Sequence, residues 1–207
     1  MYKPFVLLLA LVTSITFNAC NAGTEINSST VIKAPKELEP LTIEKINQTP
    51  DSSLVFLMFE HISHGLPADP DQELAYILSL PKPQQAIYII WLLEGEVNNG
   101  GFNQYYYNSS GQFARLAPDA LKLVGATQFA ALTQAANEMY TKEKQRITKH
   151  QDGTSEGFSK SYDNNPLDKF DDQFYKLKEP LGELQITFIR NNKEAFVTQH
   201  HSAAIRN

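Results

Sequence analysis

From Asp51 onward, apolar residues recur at the spacing of a helix face rather than alternating as in a strand. Leu54, Leu57, Met58 and Ile62 mark a first amphipathic helix, opened by Asp51 and Ser52 and stopped at Gly65. Leu74, Ile77 and Leu78 mark a second, from Asp71 to Leu80, isolated between Pro67 and Pro70 on one side and Pro81 and Pro83 on the other. The next run, Ala86 to Leu93, is apolar on every face, so it predicts a helix buried at the centre of a bundle. Further on, Phe113, Leu116, Ala120, Leu121 and Val124 predict a helix with Pro118 near its start and Gly125 at its end. Thr127 is placed to cap the following one, whose stripe is Phe129, Leu132, Ala136, Met139 and Tyr140.

Between Thr141 and Asn165 the chain turns polar, which predicts the longest loop of the domain. Structure restarts at Asn165-Pro166, with Leu167, Phe170, Phe174 and Leu177 facing inward and Asp168, Asp171 and Asp172 facing water. A last helix runs from about Pro180 through Leu181, Leu184, Phe188 and Ile189. The fold class is therefore all-α, a single multi-helix bundle over residues 51–197 with a central buried helix.

That central helix runs into Glu94-Gly95-Glu96-Val97-Asn98-Asn99-Gly100-Gly101-Phe102-Asn103-Gln104-Tyr105. Asn98 and Asn99 tolerate capping geometry and Gly100 and Gly101 permit positive φ, so the helix must bend here and restart near Phe102. Glu96 then sits in the last turn, against the negative end of the helix dipole, and needs compensating donors. The first N–H groups of the next helix, around Gly101 to Asn103, are the nearest such donors, with Asn98 or Asn99 assisting. The corner is expected to be a staple between two helices.

The 207 residues, 42% of them hydrophobic, suffice for one ordinary core. A formal charge of -5 argues against nucleic acid as a direct partner. The single cysteine, Cys20, excludes an internal disulfide and directs attention to the N-terminus. Lys3 precedes an uncharged, largely apolar run from Phe5 to Phe17, and Ala19 stands directly before Cys20. This layout resembles a bacterial lipoprotein signal, with residues 1–19 removed and Cys20 carrying the lipid. Residues 20–50, rich in Thr, Ser, Asn, Pro and Glu, are expected to be a flexible tether, and residues 198–207 a loose tail.

The run from Glu96 to Tyr105, together with Asn108-Ser109-Ser110-Gly111, Ala120-Leu121, Val124-Gly125-Ala126 and Phe188-Ile189-Arg190-Asn191-Asn192, resembles the C-terminal domain of the bacterial DNA-mimic protein family. The resemblance covers roughly residues 51–196. It implies an all-helical and often dimeric fold, in which named members present an acidic surface to the DNA-binding face of partner proteins. Charge weighs against carrying that activity over: from Cys20 onward the chain has 23 acids and 17 bases. Duplex DNA carries one charge per about 1.7 Å, so imitating on the order of 30 Å needs roughly 18 negative charges on one side.

No reactive constellation stands out. Glu94 and Glu96, two apart on a helix, do not face each other. His61 and His64 lack a third metal ligand, Ser109-Ser110-Gly111 lacks the context of a nucleophile elbow, and Gly100-Gly101 lacks the lysine of a phosphate loop. No cofactor or metal is expected. The sequence thus predicts an envelope-tethered helical module that binds a protein partner, with DNA mimicry as the alternative. An envelope enzyme using Glu96, Asn98, Asn99, Gln104 and Tyr105 is the reading from another class. The motif itself is Glu96, Asn98, Asn99, Gly100, Gly101, Phe102, Gln104 and Tyr105, serving structure or partner binding.

Overall fold

The computed structural model describes residues 40–197. The expected signal over residues 1–19, Cys20, most of the tether and the tail over residues 198–207 lie outside the described residues. Within them the chain is helical throughout, with no strand. The helices are α1 (Ile43–Gln48), α2 (Asp51–His64), α3 (Glu73–Ser79), α4 (Lys82–Tyr107), α5 (Ala117–Leu123) and α6 (Thr127–Lys142). They continue with α7 (Lys144–Ile147), α8 (Ser155–Lys160), α9 (Asp168–Lys176), α10 (Leu181–Asn191) and α11 (Lys193–Phe196).

Helix α4 is the axis of the bundle. Ile87, Ile90, Leu93 and Val97 are fully buried along it, and α2, α5 and α9 pack around it. Burial extends to two amides near its start, whose N–H groups are taken by backbone carbonyls. Gln85 Nε2 donates to the carbonyls of Leu78 (3.1 Å) and Leu80 (2.7 Å), and Gln84 Nε2 to that of Ala195 (2.7 Å). The α3 terminus and the α11 segment are thereby fastened to α4, because a carbonyl left unpaired in the interior costs about 1–3 kcal/mol.

Beyond the kink, the core is aromatic. Phe102 meets Phe170 and Phe174 edge-on with ring centroids 6.4 and 6.0 Å apart, and Phe174 meets Phe129 at 4.9 Å. Tyr106 stacks on Tyr140 at 4.1 Å while its hydroxyl donates to Asn137 Oδ1 at 2.7 Å. The second limb of α4 is thus wedged between α6 and α9.

Outside the central corner, the structure departs from the sequence expectation in several respects. First, the tether ends earlier than residue 50. Thr42 caps α1, accepting from the Lys45 N–H at 3.0 Å, and Leu41 and Ile46 join the core. Arg190 on α10 donates to the carbonyls of Ile46 and Thr49 and pairs with Asp51. A segment this short, with so few apolar residues, offers no periodicity to read. Second, the stretch from Thr141 to Asn165 is not one loop: it holds α7, a single turn Thr148–His150 and α8. Local capping starts α8, since Asp152 Oδ1 accepts from the Thr154 N–H (2.9 Å) and Thr154 Oγ1 from the Gly157 N–H (2.9 Å). Third, Thr127 is the first residue of α6 rather than its cap. Glu179, from the connection before α10, takes the N–H groups of Gln128 and Phe129 at 3.0 Å each.

Candidate functional site

The Gly-Gly corner lies inside α4. Gly100 adopts φ -152, ψ 25 and Gly101 φ 73, ψ -176, so α4 is two helical limbs meeting at these residues. The second pair of angles belongs to a region open essentially to glycine alone. Space makes the same demand, because a Cβ on Gly101 would stand 2.2 Å from Asp171 Oδ2.

A kink releases backbone groups that a continuous helix would pair. The Val97 carbonyl accepts from the Tyr175 hydroxyl at 2.6 Å, and the Gly100 carbonyl from the Tyr162 hydroxyl at 2.9 Å. On the other limb, the Phe102 N–H donates to Asp171 Oδ1 at 2.7 Å. Asp171 is thus not the water-facing residue that its helical phase predicts, and it, rather than Glu96, takes the first N–H of the second limb. Asp171 lies one helical turn after Leu167 and directly after Phe170, both buried, so its side chain is drawn inward beside them. Burial pushes its carboxyl up to about 6, with Asp168 and Asp172 adding to the rise and the Phe102 N–H opposing it.

Glu96 does join the two limbs, by side chains instead of backbone. Its Oε2 accepts from Gln104 Nε2 (2.7 Å) and Asn108 Nδ2 (2.9 Å), and its Oε1 from Ser110 Oγ (2.8 Å). Asn99 supports the set through its Nδ2, which donates to Gln104 Oε1 at 3.0 Å. Asn98 is exposed. Phe102 and Tyr105 are wholly buried, and the Tyr105 hydroxyl has no hydrogen-bond partner among the described residues. Burial pushes the pKa of that phenol up, and the nearby Glu96 charge adds to the rise, so the hydroxyl stays protonated.

A second network reaches the same limb from behind. Asn103 Nδ2 donates to Ser161 Oγ (2.7 Å), Asn165 Nδ2 donates to Asn103 Oδ1 (2.7 Å), and Asn165 Oδ1 takes the Leu167 N–H (2.9 Å). All three side chains are buried. Sequence reasoning missed Ser161, Tyr162, Asn165, Asp171 and Tyr175 as partners of the corner. Their only signal was a dense polar and aromatic content in a stretch read as loop and solvent face.

Glu94, dismissed as half of a catalytic pair, has its own partner: Gln185 Nε2 donates to it at 2.8 Å. Burial pushes the Glu94 carboxyl up to about 7, and the Gln185 amide pulls the other way. Gln185 Oε1 has no partner among the described residues. His61 and His64 sit in the last turn of α2, His64 exposed. Among the described residues, no group of three or more His, Cys, Asp and Glu side chains is arranged to hold a metal ion.

The geometry is that of a polar joint whose donors and acceptors face one another. Comparison with known proteins matches residues 78–192, more than half of the 207, to the family described as DMP19-like protein. Neither a curated protein nor a solved structure matches. The chain belongs to the DMP19-like family, and its fold is of the DNA-mimic type.

Proposed function

We propose that this DMP19-like chain is a helical protein-binding module, held at the cell envelope by a lipid on Cys20. The observation that carries the reading is the closure of the polar corner. Glu96, Asn99, Asn103 and Gln104 are occupied with Ser110, Asn108, Ser161 and Asn165, so the richest chemistry in the sequence is spent on holding α4 bent. Side chains committed to each other in this way are poor candidates for turning over a substrate and good ones for a rigid binding scaffold.

Charge supports a protein partner over nucleic acid. Residues 50–121 hold eight acids, Asp51, Glu60, Asp69, Asp71, Glu73, Glu94, Glu96 and Asp119, against the bases Lys82 and Arg115. Residues 122–197 hold eleven of each sign. The negative excess of the described domain therefore belongs to its first half. Six net charges fall well short of the roughly 18 that a DNA-length array requires, which favours protein binding without phosphate mimicry.

The test is capture of partners by the full-length, detergent-solubilised protein from its native envelope, followed by competition with duplex DNA. A stoichiometric protein partner that DNA does not displace is the expected result. Displacement by DNA would establish mimicry, and the absence of any partner would overturn the reading.

A further inference from the structure

The first half of the domain carries an aromatic ladder at its surface. Phe56 on α2 is 44% exposed and lies 5.7 Å from the ring of Trp91 on α4. Trp91 is stacked on Phe59 at 4.9 Å with ring planes 20° apart, and Phe59 on Tyr88 at 5.5 Å. Phe59 and Trp91 are half-buried, while Tyr88 forms the floor. One helical turn beyond Trp91, on the same face, stands Gly95, which is exposed and has no atom within 4 Å of where a Cβ would point. A glycine inside a helix costs about 1 kcal/mol relative to alanine, and no contact among the described residues requires it here. The bare backbone leaves room beside the indole for something from outside.

Carboxylates border the ladder. Glu60 stands one helical turn after Phe56 on the same face of α2 and is exposed. Glu73 accepts from the Tyr88 hydroxyl (2.6 Å) and from Gln112 Nε2 (3.0 Å), both neutral donors, and the exposed Asp69 and Asp71 lie in the turn just before it. Stacked rings with acids at their rim match one side-chain chemistry above others. A guanidinium lies flat on an aromatic face while its N–H groups grip a carboxylate in pairs. A second copy of this chain fits poorly, because a two-fold contact would bring these same carboxylates against themselves.

We propose that this face docks an arginine-bearing segment of a partner protein, with guanidinium groups stacked on Trp91 and Phe56 and paired with Glu60 and Glu73. The proposal rests on the protein-binding reading above and adds to it a surface and a partner chemistry. It does not depend on imitation of DNA, whose outer surface presents no ladder of rings.

Trp91 is the only tryptophan of the chain, so its emission reports on this face directly. The full-length protein is titrated with a short amphipathic arginine-rich peptide and with versions carrying lysine or glutamate in place of arginine. The arginine peptide is expected to shift Trp91 emission with an affinity that falls with added salt, the lysine version to bind more weakly and the glutamate version not at all. Phe56→Ala and Glu60→Gln, both exposed changes, should each weaken the arginine peptide, Phe56→Ala by about tenfold, the effect of losing an aromatic anchor. An unmoved emission, or unchanged affinity in both variants, overturns the proposal. A concentration-dependent dimer that Phe56→Ala dissolves would overturn it in favour of self-association. Envelope capture separates the two levels: a partner retained by Phe56→Ala leaves the binding module standing and removes this surface, whereas no partner with the wild type removes the module itself.

Discussion

Asp171 Oδ1 accepts the Phe102 N–H at 2.7 Å, joining positions 69 apart in the chain at the first turn of the second α4 limb. The carboxylate caps the limb and the N–H favours its charged form, but burial of that charge outweighs it. Asp171→Ala is expected to destabilise the fold by about 1–2 kcal/mol in urea unfolding. Asp171→Asn keeps an acceptor oxygen and should cost less. Since burial holds the Asp171 carboxyl near 6, above its unfolded value, its protonated form is favoured in the native state. Its contribution is therefore fullest below the unfolded value and is lost as pH rises through about 6, so Asp171→Asn should flatten stability between about pH 4 and 6.

Gly101→Ala meets two obstacles, a backbone conformation closed to side chains and the Asp171 carboxylate 2.2 Å from the new Cβ. A loss of about 2–4 kcal/mol is expected. Combining it with Asp171→Ala should relieve the clash but leave the strained angles, so the double variant should be less destabilised than the sum of the single ones.

Glu96→Gln replaces an acceptor of three hydrogen bonds with a side chain that can accept at only one end. A cost of about 1–2 kcal/mol is expected, read as a lower midpoint in thermal unfolding at neutral pH. An unchanged midpoint would remove the staple.

Much of this joint could be read from the chain before any coordinates. The doubled glycine after an all-apolar helix, with Glu96 in the last turn, indicated a bend and a carboxylate holding it, and α4 bends there. What escaped was the far side of each bond. Asp171 obeys the polar half of an amphipathic pattern, and Ser161 and Asn165 belong to a polar stretch without period. Pattern reports which face of a helix is apolar, but not that a backbone opened elsewhere will recruit a polar side chain from it. The same limit applies to α1, whose place depends on Arg190, an attachment that local spacing does not encode.

Glu94 faces Gln185 with its carboxyl held near 7, so at pH 8 the fold carries a buried charge that it lacks at pH 5. By the same sign argument its contribution is present below the unfolded value and lost as pH rises through about 7. Glu94→Gln removes the charge and offers an N–H to the unpartnered Gln185 Oε1. The variant should be more stable than wild type at pH 8, by on the order of 2 kcal/mol, and close to it at pH 5. Calorimetric scans at the two pH values decide this, and equal gains at both would exclude the charge as the cause.

Gly95→Ala should raise stability by about 0.5–1 kcal/mol in thermal unfolding, since no neighbour occupies the added space. A loss instead would mean that the helix itself needs this glycine.

The bend in α4 also imposes an order on biosynthesis. Gly101 leaves the ribosome before Tyr162, Asp171 and Tyr175 have been translated, so the opened carbonyls and N–H groups must first be satisfied by water. The corner's last two backbone partners arrive only with α9, which ties completion of a helix in the middle of the domain to a later one. A chain truncated before Asp168 would keep the glycines and the Glu96 staple but lose the Asp171 and Tyr175 bonds to the two limbs.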